Sequence, residues 1–273
     1  MKTGAIPFAF LLVDLAYGKP LEQVMEKTMR VGLFITCLVE SMRPSIGFAA
    51  IKLLETAGCE VIVPPRQTCC GQPGYNSGDR DSARKLAMKL LAEFEDFDYV
   101  VLPSGSCAGM IRVHYPDLFR NDSALLARLT SLGTRTYELC DFLGKVAGLE
   151  KMPGNFKGTL TYHDSCSCLR ELDIYQQPRE LLAKMSGVTL NEMVESTTCC
   201  GFGGTFSVKY GELSTRMADN KCRHITETTA ATVTGGDLGC LLNIEGRLRR
   251  NGNHSTRVLH IAEVLSGVDS GNT

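Results

Sequence analysis

Thr198-Cys199-Cys200-Gly201-Phe202-Gly203-Gly204 restates, with changes, the earlier run Thr68-Cys69-Cys70-Gly71-Gln72-Pro73-Gly74. A lone cysteine lies well before and well after each pair. Cys37 stands 32 positions ahead of the first pair and Cys107 37 behind it, while Cys166 stands 33 ahead of the second and Cys240 40 behind. Such near-equal spacing marks a duplicated structural unit, not a scatter of cysteines.

The adjacency of the two cysteines restricts their backbone. Neighbouring side chains of a regular strand point to opposite faces, so Cys-Cys addresses one site only from a loop. The following glycine supplies the positive φ or the close approach that such a loop needs. Sulfur donors suit zinc, copper(I) or iron–sulfur clusters. The Cys-x₂₋₄-Cys knuckles of small zinc sites are absent from the repeated pattern. Contiguous cysteines suit a cluster better, because they can bind different irons of one object. The plainer alternative is that these are buried cysteines acting as small hydrophobes.

Composition sets the frame. A chain of 273 residues can bury a sizeable core, in one large domain or two small ones. Twelve cysteines are about 4% of it, below the level of disulfide-stapled scaffolds, which favours a reducing compartment and metal ligation. A formal net charge of −1 gives no reason to expect nucleic acid. The basic run Arg247-Leu248-Arg249-Arg250 reads as a solvated helix end, with partner docking as the alternative. No stretch approaches the roughly 20 apolar residues of a membrane helix. The run from Ala5 to Val13, preceded by Lys2, faintly resembles a signal peptide but lacks a convincing cleavage site. Residues 1–29 are therefore expected to be a loosely attached leader.

Short β-rich apolar runs alternate with helical patterns along the remainder. Residues 31–36 read as a buried parallel strand ending at Cys37, followed by a helix over 44–57, a strand at 61–63 and the Cys69-Cys70 loop. A helix over 79–94 and a strand at 98–102 deliver Cys107, and helical segments at 116–129 and 137–147 close the first half. The second half replays this order: strand 159–163 to Cys166, helix 177–185, a strand near 189–194 to the Cys199-Cys200 loop, helix 211–229 and strand 231–234 to Cys240. A last strand at 257–259 and a short helix at 261–265 end it. This pattern predicts an α/β fold of two halves, 30–150 and 151–273, related by an approximate twofold. Each half would have a parallel sheet with its cysteines at the carboxyl ends of the strands.

Together these residues resemble a known family. Cys37-Leu38-Val39, Thr68 to Pro73, Pro103-Ser104-Gly105-Ser106-Cys107, Tyr162 to Cys166, Cys199 to Ser207, Gly239 to Ile244 and His260 to Val264 look like the cysteine-rich CCG-domain iron–sulfur proteins. The nearest group is lactate utilisation protein A, an iron–sulfur subunit of a bacterial L-lactate dehydrogenase complex. The cysteine-rich subunit of heterodisulfide reductase and the glycolate oxidase iron–sulfur subunit are more distant. The resemblance runs from about Met29 to Leu265. It implies a cytoplasmic electron-transfer subunit that works with companion iron–sulfur proteins. It also implies one cluster on Cys37, Cys69, Cys70 and Cys107 and a second on Cys166, Cys199, Cys200 and Cys240. The wider family closes each set with Cys-x-x-Cys; here Met110 and Asn243, or counting backward Ser104 and Asp237, stand where the second cysteine would be. Four thiolates per site match an ordinary Cys₄ [4Fe–4S] cluster.

Other residues are secondary. Cys59 and Cys140 read as core, Cys168 as core or a spare ligand, and Cys222 has no assigned role. His163 reads as a structural histidine, or as a donor or proton carrier beside the cluster. Gly201-x-Gly203-Gly204 is expected to turn amides toward sulfur, though a phosphate cradle at a helix start is the alternative. The chain carries no flavin fingerprint and no acid–base pair suited to lactate, so it is not expected to oxidise lactate alone. The competing functions are a thiol–disulfide reductase of the heterodisulfide reductase type and a zinc-stabilised scaffold.

Overall fold

In the computed structural model, residues 28–268 are described, so nearly all of the expected leader falls outside them. The first half opens with β1 (Arg30–Leu33), whose last three residues are buried, and α1 (Cys37–Met42). The next helix, α2 (Ser45–Thr56), buries Ile46, Ala49, Ala50, Leu53 and Leu54, the i, i+3, i+4, i+7, i+8 stripe of an amphipathic helix. Each of its large aliphatic side chains contributes about 1.5–3 kcal/mol by leaving water. After β2 (Glu60–Ile62) the chain crosses the Cys69-Cys70 loop into α3 (Gln72–Ser77) and α4 (Arg80–Phe94), which Asp79 caps by accepting from the Ser82 amide. Then come β3 (Tyr99–Leu102), α5 (Gly105–Gly109), a π-helical turn over Met110–His114, α6 (Tyr115–Leu118) and α7 (Ser123–Thr134). The half closes with β4 (Thr136–Glu138), α8 (Leu139–Asp141) and a second π-helical turn over Phe142–Val146.

The second half repeats the scheme. It runs β5 (Gly158–His163), α9 (Cys166–Glu171), α10 (Gln176–Ala183), β6 (Val188–Leu190), α11 (Thr205–Lys209), α12 (Gly211–Glu227), β7 (Thr232–Gly235), α13 (Leu238–Arg250), β8 (Arg257–His260) and α14 (Ile261–Ser266). Each half forms one four-stranded sheet, ordered β2-β1-β3-β4 and β6-β5-β7-β8, and every pairing is parallel. The strand order reverses direction between β1 and β3, and again between β5 and β7. Ligands of open α/β sheets bind outside the carboxyl ends of the strands at such a switch point.

The expected strands and most of the expected helices are present with boundaries shifted by a few residues; the helical stretch expected over 116–129 is split into α6 and α7, and the residues expected to form a helix from Tyr137 begin with the short strand β4 instead. One hydrophobic cluster runs through both halves, from Val31 and Leu53 to Leu160, Ile244 and Leu265. Polar contacts follow the same boundary. Ser45 Oγ donates to Glu263 Oε1 at 2.7 Å, Lys52 Nζ to the Ser266 carbonyl at 2.8 Å, and Arg43 to Glu245 at 2.9 Å. A methyl group on Gly105 of α5 would collide with the Cys168 sulfur of α9, so glycine there permits the two helices to meet. The halves thus share a core as well as a pattern.

Candidate metal centres

The lone cysteines of each half lie in the first turns of helices that follow strands, not in open loops. Cys37 begins α1 directly after β1, and Cys166 begins α9 directly after β5. Cys107 is the third residue of α5 and Cys240 the third of α13, each preceded by an N-cap side chain. Ser104 accepts from the Cys107 amide at 3.4 Å, and Asp237 accepts from the Gly239 amide at 3.2 Å. The cysteine pairs arrive from β2 and β6 and turn at Gly71 and Gly201, both at φ +85°. These are left-handed conformations that glycine adopts without strain. A Cβ on Gly201 would lie 2.7 Å from the Ser214 carbonyl oxygen, so close backbone approach also requires glycine there.

These elements bring each predicted set of four thiols together. In the first half, Cys37 and Cys69 sulfurs are 3.8 Å apart, and Cys70 and Cys107 sulfurs 3.3 Å apart. Cys69 is the acceptor of its set. The Cys37 and Cys70 thiols and the Gly71 amide all point at its sulfur, lowering its pKa and keeping the proton on Cys37. The second half reproduces the arrangement: Cys199 accepts from Cys166, Cys200 and the Gly201 amide, and Cys200 contacts Cys240. The Gly71 and Gly201 amides each lie 3.4 Å from the sulfur of the first cysteine of the pair, Cys69 and Cys199. In the second glycine-rich loop it is the Gly201 amide that points at a cysteine sulfur.

Met110 is fully buried in the core, and Asn243 has a different task. Its Nδ2 donates to the Cys200 carbonyl at 2.9 Å, while Tyr115 Oη donates to the Cys70 carbonyl at 2.7 Å. Both pair loops are thus pinned through the same carbonyl by unrelated side chains. A cavity of about 160 Å³ opens beside the first set, lined by Cys37, Cys69, Cys70 and Cys107 and roofed from the other half by Phe202, Gly204 and Leu238.

The surroundings of the two sets differ. His163 ends β5 three residues before Cys166; three residues before Cys37 the first half has Phe34, whose ring packs edge-on against Phe94 at 5.6 Å. His163 is 1% exposed, and burial beside Lys221 lowers its pKa to about 3. The Lys221 ammonium is also buried, donating to the Glu195 and Ser196 carbonyls at 2.7 and 3.1 Å, near Cys199 and Cys200. Nothing in the sequence distinguished this lysine from the other cations of α12. Asp164 holds Arg179 through two contacts of 2.9 Å, below the Arg179 stack on Tyr175.

The remaining cysteines are placed as core: Cys59, Cys140, Cys168 and Cys222 are all buried. Cys168 packs against Gly105. Arg247 pairs with Asp219 and Arg249 with Glu245 and nearby carbonyls, so this part of the basic run is held within the fold.

The donor set fits soft metal chemistry. Two sulfurs on one tetrahedral metal with bonds of roughly 2.3 Å stand about 3.8 Å apart, which matches Cys37 and Cys69 at 3.8 Å but not Cys70 and Cys107 at 3.3 Å. Sulfurs on different irons of one cluster stand farther apart, and beside the first set the cavity gives them room to separate.

Comparison with known proteins agrees with this layout. The CCG family, described as a cysteine-rich domain, matches residues 31–112 and 160–245. Lactate utilization protein A 2 of Bacillus cereus (strain Q1) is 42% identical over 87% of this chain and 98% of its own length. Lactate utilization protein A of Bacillus cytotoxicus is 44% identical over 87% of this chain and 99% of its own. The crystal structure of a hypothetical protein from Helicobacter pylori superposes with a TM-score of 0.60 at 12% identity, over 89% of this chain and 49% of that one. The chain thus spans about half of that protein, and the likeness is one of fold.

Proposed function

Since the chain belongs to the cysteine-rich CCG-domain family, within the lactate utilization protein A group, we propose that it is an iron–sulfur electron-transfer subunit of a bacterial L-lactate-oxidising system. Cys37, Cys69, Cys70 and Cys107 hold one cluster in this reading, and Cys166, Cys199, Cys200 and Cys240 hold the other. Each set supplies the four thiolates that a [4Fe–4S] cluster takes. The observation that carries it is the twofold convergence of four thiols at the switch point of a parallel sheet.

When bound, such clusters supply one-electron storage; the rest is the work of this chain. Gly71 and Gly201 turn the paired thiolates inward and aim their amides at sulfur. Tyr115 and Asn243 fix the pair loops. Phe202 and Leu238 cover the first site with apolar surface from the opposite half. The partners are companion iron–sulfur subunits, and the setting is cytoplasmic; among the described residues no helix is long and apolar enough to cross a membrane.

Purification of the tagged chain under anaerobic conditions, with its companions, tests this. L-lactate should bleach the visible absorption of the complex and leave the isolated chain unchanged. Bleaching of the isolated chain, or none in the complex, contradicts the proposal. The 3.8 Å spacing of Cys37 and Cys69 favours one other reading, a single tetrahedral metal such as zinc at each set in a structural scaffold.

A further inference from the structure

The two sites are built alike in sulfur and unlike in nitrogen. His163 lies at the end of β5, 1% exposed, and neither ring nitrogen has a hydrogen-bond partner among the described residues. An imidazole carries at least one donor and, when neutral, one acceptor; leaving such a group unpaired in a dry interior costs about 1–3 kcal/mol. Its surroundings explain the arrangement. One ring nitrogen and the sulfurs of Cys200 and Cys240 all lie within 4.8 Å of one another. The imidazole is therefore aimed at the second thiol set. The first half offers no counterpart, because Phe34 occupies the matching place and packs on Phe94.

We propose that His163 supplies a nitrogen ligand to the metal–sulfur group of the second site, which makes that site Cys₄His while the first remains Cys₄. The inference rests on the reading that Cys166, Cys199, Cys200 and Cys240 hold such a group. Imidazole is a common metal ligand and is compatible with iron beside thiolate. A neutral nitrogen adds a donor without adding negative charge, which a fifth thiolate would do. The buried Lys221 ammonium near Cys199 and Cys200 favours the reduced form of this site, since a nearby positive charge offsets the added negative charge, and among the described residues no lysine of the first half is buried. Electrons are thereby drawn from the first site to the second, and the duplicated fold acquires a direction.

The test uses the full chain reconstituted anaerobically with ferrous iron and sulfide, prepared with natural and with ¹⁵N-labelled histidine. Pulsed electron–nuclear double resonance of the reduced protein should show a strongly coupled nitrogen that changes with the label. The coupling should vanish in His163→Ala, and the second site's midpoint potential should shift while the first site's stays where it is. A Cys200→Ser control reports on the underlying reading, because it should remove about half of the iron. If that control loses iron but the wild-type spectrum shows only weak couplings indifferent to the histidine label, His163 is not a ligand and the cluster assignment survives. If Cys200→Ser retains all its iron, the cluster assignment fails and this inference falls with it. Should His163→Ala fail to fold, the labelled wild-type spectrum alone decides.

Discussion

Ser106 donates its backbone N–H to Asp237 Oδ2 at 2.8 Å, joining the residue before Cys107 in one half to the helix cap three residues before Cys240 in the other. The Ser104 hydroxyl reaches the same oxygen at 3.4 Å, and Asp237 Oδ1 accepts from the Gly239 amide at 3.2 Å. Ser104 and Asp237 are themselves the N-caps of α5 and α13, so the equivalent caps of the two halves touch. One carboxylate thus positions a helix start in each thiol set.

Asp237→Ala should therefore destabilise both sites, although Asp237 is not among the proposed ligands. Leaving the Ser106 and Gly239 amides without their acceptor should cost about 2–4 kcal/mol. Denaturant unfolding of the thiol-protected chain measures it. Because the hydrophobic core crosses between the halves, unfolding should stay a single transition at lower midpoint. Two separate transitions, or an unchanged midpoint, would count against a shared core tied at this residue.

Glu138 gives a pH signature. It is 1% exposed, and burial raises its pKa to about 8 against the opposing pull of the Cys140 and Asp141 amides. The folded chain then keeps a proton that the unfolded chain has already lost, so stability is greatest below the ordinary carboxyl pKa. It declines as pH rises through about 8, by an amount on the order of a few kcal/mol. Glu138→Gln should flatten that decline while leaving the acid side unchanged. A variant that keeps the full slope would show that another group titrates.

Gly201 and Gly71 share φ +85° yet differ in surroundings, so alanine should affect them unequally. At Gly71 the nearest neighbour of a new Cβ is Ala83 Cα at 3.3 Å, whereas at Gly201 it is the Ser214 carbonyl oxygen at 2.7 Å. Both substitutions bear a left-handed penalty of roughly 1–2 kcal/mol, and Gly201→Ala adds a backbone displacement. Its melting temperature should fall further than that of Gly71→Ala, and iron should be lost from the second site. Equal losses in the two variants would contradict this geometry.

Much of this was legible in the sequence because thiol spacing and hydrophobic period are local signals. The Cys-Cys-Gly turns, the strands leading to Cys37, Cys107, Cys166 and Cys240, and the amphipathic stripe of α2 follow from such signals. The strand β4 is only three residues long and merges into α8, so its period resembles a helix start. The helical seats of Cys107 and Cys240 were hidden by flanking glycines, which read as loop. Gly239 is nevertheless helical, with the Phe202 ring against the face where a Cβ would stand. Lys221, Asp237 and the pinning roles of Tyr115 and Asn243 depend on contacts far along the chain, for which neither period nor spacing gives a mark.

Exposure predicts how the sites fail in air. Cys37, Cys69, Cys166 and Cys199 are only partly buried, while Cys70, Cys107, Cys200 and Cys240 are buried. Aerated protein should lose visible absorption over time, and the four partly exposed thiols should be modified first. Mass spectrometry of alkylated peptides at successive times tests the order. Oxidation starting at Cys70 and Cys200 would contradict it.

The central claim is that each converging thiol set holds an iron–sulfur cluster. Iron, zinc and acid-labile sulfide measured per chain on anaerobically prepared wild type, Cys70→Ser and Cys200→Ser test it most directly. Two four-iron clusters require iron and sulfide in equal amounts, about eight of each in the wild type and about half that in each variant. One zinc per set with no sulfide would contradict it.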